Sequence, residues 1–179
     1  MERRNLAIAA LVLGIGCLAT FAGLWQAGPA SHVAVQAVEG RYAVTRRADA
    51  VFQAWLVARH ARRLVTRPWR LVDTEHCAPA EDTLTLGIPM VTLGALAVPG
   101  ALLSDEPVLV YNVALVLLTL VSGFAMYALV ARWSGVPAAG WIAALWFAFQ
   151  PLRLGHVTHP SVWDASWTVL ALLFAERLS

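Results

Sequence analysis

Lysine is missing altogether: all 13 basic residues of the 179-residue chain are arginine. Cysteine occurs twice, and Cys17 sits inside an apolar stretch, which excludes a disulfide-built scaffold. Charge is scarce as well, at 13% of residues, about half of what an ordinary soluble domain carries. That scarcity excludes a disordered chain, a nucleic-acid-binding domain and an ordinary water-soluble enzyme. Also lacking are a phosphate-cradling glycine loop, a metalloprotease His pair and a nucleophile elbow. No internal repeat or low-complexity tract occurs.

Apolar residues are plentiful, at 59%. The eight tryptophans include Trp25, Trp133 and Trp163 at or near the ends of apolar runs, where an indole anchors a membrane interface. A helix needs about 20 mostly apolar residues to cross a ~30 Å hydrocarbon core. Leu6–Leu24, Leu84–Leu103, Val108–Ala131 and Trp133–Leu152 are uncharged, and Val157–Ala175 is broken only by Asp164. The expected fold is an all-α integral membrane protein with four or five transmembrane helices. Residues 5–25 would be the first, 26–83 an extracytoplasmic loop, and 84–179 three to four more. Leu84–Leu103 carries Gly87, Pro89, Gly94, Pro99 and Gly100, so it either spans or lies kinked in the interface. Its length favours a span, which puts His156, His159 and Asp164 on the side opposite Asp49; an interfacial run puts them on the same side.

The first run has two readings. Glu2-Arg3-Arg4 before it and the small residues Gly28 and Ala30 after it suit a secretory signal cleaved behind Ala30. Its apolar stretch exceeds the roughly 7–15 residues of a signal core, so a retained anchor is expected. Eight of the 13 arginines fall in the 26–83 loop, against the positive-inside tendency. The nearest to the first span is Arg41, and the loop approaches the length at which that tendency fades.

Within the loop, Asp49–Val65 has helical periodicity. At about 100° per residue, Ala50, Val51, Ala54, Val57, Ala58, Ala61, Leu64 and Val65 share one arc. Asp49, Gln53, Arg59, His60, Arg62 and Arg63 share the other, with Phe52, Trp55 and Leu56 among them. A basic amphipathic helix with aromatics beside membrane spans is expected to lie in the headgroup region. Arg59 and Arg63 repel each other mildly at four residues apart, and an anionic phosphate gripped by both relieves this. Asp49 and His60 lie about 16 Å apart along such a helix, too far to share a metal or a proton. By residue chemistry alone Asp49 is equally an ordinary helix-start acid. His156 and His159 lack a third ligand for zinc, and Asp164, following His159-Pro160-Ser161, resembles a helix-start acid.

The order of residues along the chain adds a resemblance. Asp49 and Trp55 are followed by Arg67-Pro-Trp-Arg-Leu-Val-Asp73, Ala78-Pro79, Thr83-Leu84 and Pro107-Val-Leu-Val-Tyr-Asn112. Then come Ser122-Gly-Phe-Ala-Met-Tyr127, Phe147-Ala-Phe-Gln-Pro-Leu-Arg153, His159 and Trp167. This series resembles the N-terminal part of bacterial membrane proteins of the glycosyltransferase-C superfold, relatives of the protein mannosyltransferases. Relatives often carry an aromatic-Tyr-Pro sequence where this chain has His76-Cys77-Ala78-Pro79, and a second acid near its Gly87 and Ile88.

The resemblance implies sugar transfer from a polyprenyl-phosphate donor on the outer side of a bacterial inner membrane. Asp49 matches the family's catalytic or metal-facing acid of the first outer loop. The reaction asks for a base and for cations on the departing phosphate, and Arg59 and Arg63 have the required chemistry. Gln53, His60, His159 and Asp164 are the expected supporting residues. A divalent metal is allowed by this chemistry, with no ligand set assigned. Membrane lipid and the donor are the expected partners, with no nucleic acid. Family members run to several hundred residues, so the chain is expected to be the N-terminal part of a longer protein. The alternative is a non-enzymatic membrane protein: a transporter part, an assembly subunit or a lipid-binding scaffold. The first four runs carry no internal charge, which leaves a transporter without a visible ion path.

Overall fold

A computed structural model describes residues 3–31, 33, 43–73, 79–83, 90–154, 156 and 159–178. Every regular element among them is helical. In chain order they are α1 (Arg3–Thr20), α2 (Ala22–Ala27), α3 (Ala43–Thr66), α4 (Val91–Leu103), α5 (Pro107–Ser134), α6 (Pro137–Phe149), α7 (Pro151–Leu154), α8 (Pro160–Trp163) and α9 (Ser166–Leu178). One 3-10 turn, Pro68–Arg70, follows α3. The His76–Cys77 pair and residues 84–89, which open the second apolar run, lie outside the described residues.

One described helix, rather than four or five, is long and apolar enough to cross a membrane. It is α5, whose 28 residues reach about 42 Å. The other runs are shorter because local chemistry interrupts them. The first turns at Phe21: the Leu24 N–H bonds to the Phe21 carbonyl, three residues back, at 3.0 Å, a tightened turn that divides α1 from α2. The fourth run is split by Gly135, whose φ of +68° is costly for any residue with a Cβ. Pro137 then starts α6 at its first turn, and Gln150, which precedes Pro151, is extended. Thus α6 keeps 13 residues, about 20 Å. The fifth run divides into α8 and α9. Pro160 opens α8 as expected, but Asp164 closes that helix rather than starting one.

The outer-loop helix is longer than its periodicity indicated, beginning at Ala43 rather than Asp49. No Gly or Pro lies between Gly40 and Pro68, so nothing stops it upstream. It ends where Pro68 forces Arg67 out of the helical region, to φ −149°. Its buried face also differs from the expected arc: Val51 and Val65 are exposed, whereas Leu56 and His60 are buried.

The chain forms two compact units, Met1–Gln26 with Leu115–Ser179, and Ala27–Ala114. In the first, Ala9 and Leu13 of α1 pack with Tyr127 of α5 and with Ala144 and Ala148 of α6. Val169 and Leu173 of α9 pack on Ala125 and Leu129 of α5. Small residues permit the close approach: a Cβ on Gly140 would stand 2.8 Å from the Tyr127 carbonyl oxygen, the kind of contact on which membrane helix pairs rely. Arg153 is the polar centre of this unit and is 3% exposed. Its Nη1 donates to the Phe147 carbonyl at 2.9 Å, and Nη2 donates to Ser122 Oγ at 2.9 Å and to the Trp163 carbonyl. The guanidinium also stands 4.7 Å from the Phe147 ring centroid.

In the second unit α3 packs on α4. A Cβ on Gly94 would lie 2.5 Å from the His60 Cβ, so glycine is what lets the two helices touch. Ala54, Val57 and Ala61 of α3 and Leu93 and Ala97 of α4 are buried. The first turns of α5 complete the unit, with Val110, Tyr111 and Asn112 buried and Asn112 Nδ2 donating to the Pro29 carbonyl at 2.7 Å.

Candidate functional site

The last turns of α3 carry Arg59, Arg62 and Arg63, and Arg67 follows at the helix edge. Offsets of three, four and eight residues place all four within an arc of about 140°. Together with Thr66 they line an open cleft of about 330 Å³. A helix C-terminus favours cations through its dipole, which stabilises arginines here during folding. The Thr66 hydroxyl donates to the Arg62 carbonyl at 2.8 Å, and the Arg67 N–H to the Arg63 carbonyl at 2.8 Å, so the last turn is closed. Four guanidinium groups lining one cleft repel one another. An anion with several oxygens relieves that repulsion and accepts paired N–H donors.

The cleft has a second compartment beside it. Trp55, Ala58, Arg59, Arg62, Asp105 and Pro107 line an adjoining hollow of about 140 Å³. Phe52 stacks on Trp55, with ring centroids 6.1 Å apart and planes 24° apart. Arg62 stands on the wall shared by both compartments. Its Nη1 pairs with Asp105 Oδ1 at 3.0 Å, and its Nη2 donates to the Asp105 carbonyl. Residues 52, 55, 59, 62 and 66 recur every three or four positions, which makes one stripe along α3: aromatic toward its start, cationic toward its end.

Of the residues singled out in the sequence, Arg59 and Arg63 line the cleft together. Asp49 is exposed on the same helix, roughly 15 Å before Arg59 along the axis, and is not among the described cleft-lining residues. Gln53 is half-buried between them in sequence, its Oε1 without a hydrogen-bond partner. His60 is a correction: it belongs to the core and not to the polar face, at 1% exposure. Its Nδ1 bonds to the Leu56 carbonyl at 2.9 Å, so that nitrogen carries the proton and Nε2 does not. Burial pushes the imidazole below its ordinary range, and the Leu56 hydrogen bond opposes this.

His159 and Asp164 belong to the other compact unit. His159 caps the start of α8, while Asp164 ends it and accepts from Ser166 Oγ at 3.2 Å. His156 Nδ1 is held by the Leu152 carbonyl at 2.7 Å. No group of three or more metal-ligating side chains occurs among the described residues. Sequence reasoning passed over Arg62, Arg67, Thr66 and Asp105 as site residues. The spacing of the arginines was readable, since 59, 63 and 67 step by four. Asp105 was not, because 43 residues separate it from Arg62. Comparison with protein-family models, curated proteins and solved structures finds no match.

Proposed function

We propose that this chain is a glycosyltransferase-like membrane protein that draws a sugar from a polyprenyl-phosphate donor at the outer face of a bacterial inner membrane. The observation that carries the reading is the four-arginine cleft at the end of α3. It supplies preorganised donors for a phosphate that gains charge as it departs. Its depth agrees with a lipid headgroup, because Asp105, paired to Arg62, lies just before Pro107, the first residue of the membrane-length helix α5. The multispanning part of the reading draws on the outward apolar residues of the shorter helices. Leu11, Ile15 and Leu18 on α1 and Ile142 and Trp146 on α6 are all exposed, which suits contact with lipid better than contact with water. The resemblance to the glycosyltransferase-C superfold provides the reaction, with Asp49 as the base. A base at that position serves an acceptor whose donor sugar extends from the cleft along α3 toward the helix start.

A second reading, a lipid-binding scaffold without chemistry, draws on the absence of Asp49 from the cleft lining. Transfer assays on membranes containing the protein, with a radiolabelled polyprenyl-phosphate sugar, separate the two. Asp49→Asn keeps the shape and removes the base, so it should cost on the order of 10²–10⁴ in rate. Arg59→Ala should mainly weaken donor binding. Transfer that is unaffected by both substitutions overturns the enzymatic reading of this site, and donor binding without transfer supports the scaffold.

A further inference from the structure

We infer that the arginine cleft takes a lipid diphosphate in preference to a lipid monophosphate, with the hydrocarbon entering beside Trp55. This rests on the reading of the cleft as a lipid-phosphate site and narrows its headgroup. Capacity is the first argument. A single phosphoryl group offers oxygens enough for one or two guanidinium forks. Here four arginines line one cleft, and two linked phosphoryl groups match that number of donors. Size is the second. At roughly 30 Å³ per water, the 330 Å³ cleft has room for about eleven waters, which is more than one phosphoryl group displaces and enough for two.

The third argument is the direction of the remaining space. The adjoining hollow shares Arg59 and Arg62 with the cleft and is otherwise lined by Trp55, Ala58, Asp105 and Pro107. A ligand whose phosphate end contacts Arg63 and Arg67 therefore meets an indole, a methyl group and a proline ring on passing Arg62. Apolar surface there favours a carbon chain, not a second polar group. A free inorganic anion would use the first compartment alone. An amphiphile uses both, and the carbons nearest its phosphates are those that Trp55 covers.

The test is binding to the purified full chain in detergent micelles, followed by isothermal titration calorimetry. The probes are geranyl diphosphate, geranyl monophosphate and inorganic pyrophosphate. Geranyl diphosphate should bind at least about tenfold more tightly than the monophosphate, in line with additional charge-assisted contacts. Arg67→Gln, an exposed position at the helix edge, should bring the two within about threefold of each other. Trp55→Ala should weaken geranyl diphosphate about fivefold or more and leave pyrophosphate unchanged. Equal affinity for the mono- and diphosphate in the native protein overturns this inference and leaves the lipid-phosphate reading standing. Pyrophosphate binding as tight as geranyl diphosphate overturns the chain-entry part. Failure of all three probes to bind overturns both the inference and the reading on which it rests.

Discussion

At the scale of single residues, His60 and Asp105 are the two whose roles follow from what they touch. His60 is held neutral by burial against α4. The unfolded chain takes up a proton near the ordinary histidine value of about 6.5, and the folded chain does so only at lower pH. The unfolded state therefore binds more protons in that window, and stability falls as pH falls through it. The midpoint of thermal unfolding should drop on going from pH 7.5 to 5.5, and His60→Leu, of similar volume and without a titrating group, should flatten that slope. Asp105 behaves differently. Its side chain is 97% exposed, so the pair with Arg62 is screened by solvent and adds little stability. Asp105→Asn should leave the unfolding midpoint nearly unchanged while tightening geranyl diphosphate binding about threefold, since Arg62 no longer shares its charge. Arginine spacing made Arg59 and Arg63 legible from sequence. His60 was misplaced because residue type suggested a polar face, whereas a glycine on another helix made room to bury it.

At the scale of elements, the breaks and close approaches matter more than the lengths of the runs. Pro137, Pro151 and Pro160 mark their helix starts in the sequence itself, because each removes a donor and restricts its predecessor. The turn at Phe21 and the division at Asp164 have no such residue. Glycines at crossings lead to a ranking that unfolding measurements can check. Gly94→Ala forces a Cβ within 2.5 Å of the His60 Cβ, an atom fixed to helix backbone. Gly16→Ala meets the tip of the Phe149 ring at 2.5 Å, which can rotate away. Gly94→Ala should cost about 1–3 kcal/mol and Gly16→Ala clearly less. A comparable loss, about 1–3 kcal/mol for each buried group left unpaired, is expected for Arg153→Met. That change strips the Phe147 and Trp163 carbonyls and Ser122 Oγ of their donor, and it should lower the unfolding midpoint of the whole chain.

At the scale of the whole molecule, the question is which solvent the outward apolar residues meet. Ile142 is 72% exposed on α6, a helix too short to cross a bilayer unassisted. If lipid surrounds it, Ile142→Arg should impair membrane insertion by about 2.5–3.5 kcal/mol. The readout is the fraction of protein resisting alkaline carbonate extraction. If water surrounds it, the same change should fall within about 0.5 kcal/mol of neutral and leave that fraction unaltered.

Composition alone determined that this chain is helical and built around apolar segments, because scarce charge and long uncharged runs leave the backbone no other way to satisfy its hydrogen bonds in an apolar setting. Periodicity also determined that α3 exists and that its arginines share a face, since helical spacing is a local property. Only the tertiary structure decided where the first, fourth and fifth runs break and which face of α3 is buried. It also decided that Asp105 and Pro107 stand against the arginines. Those outcomes depend on contacts between residues far apart in the chain, such as Gly94 against His60 and Asp105 against Arg62. Spacing along one helix carries no record of such contacts.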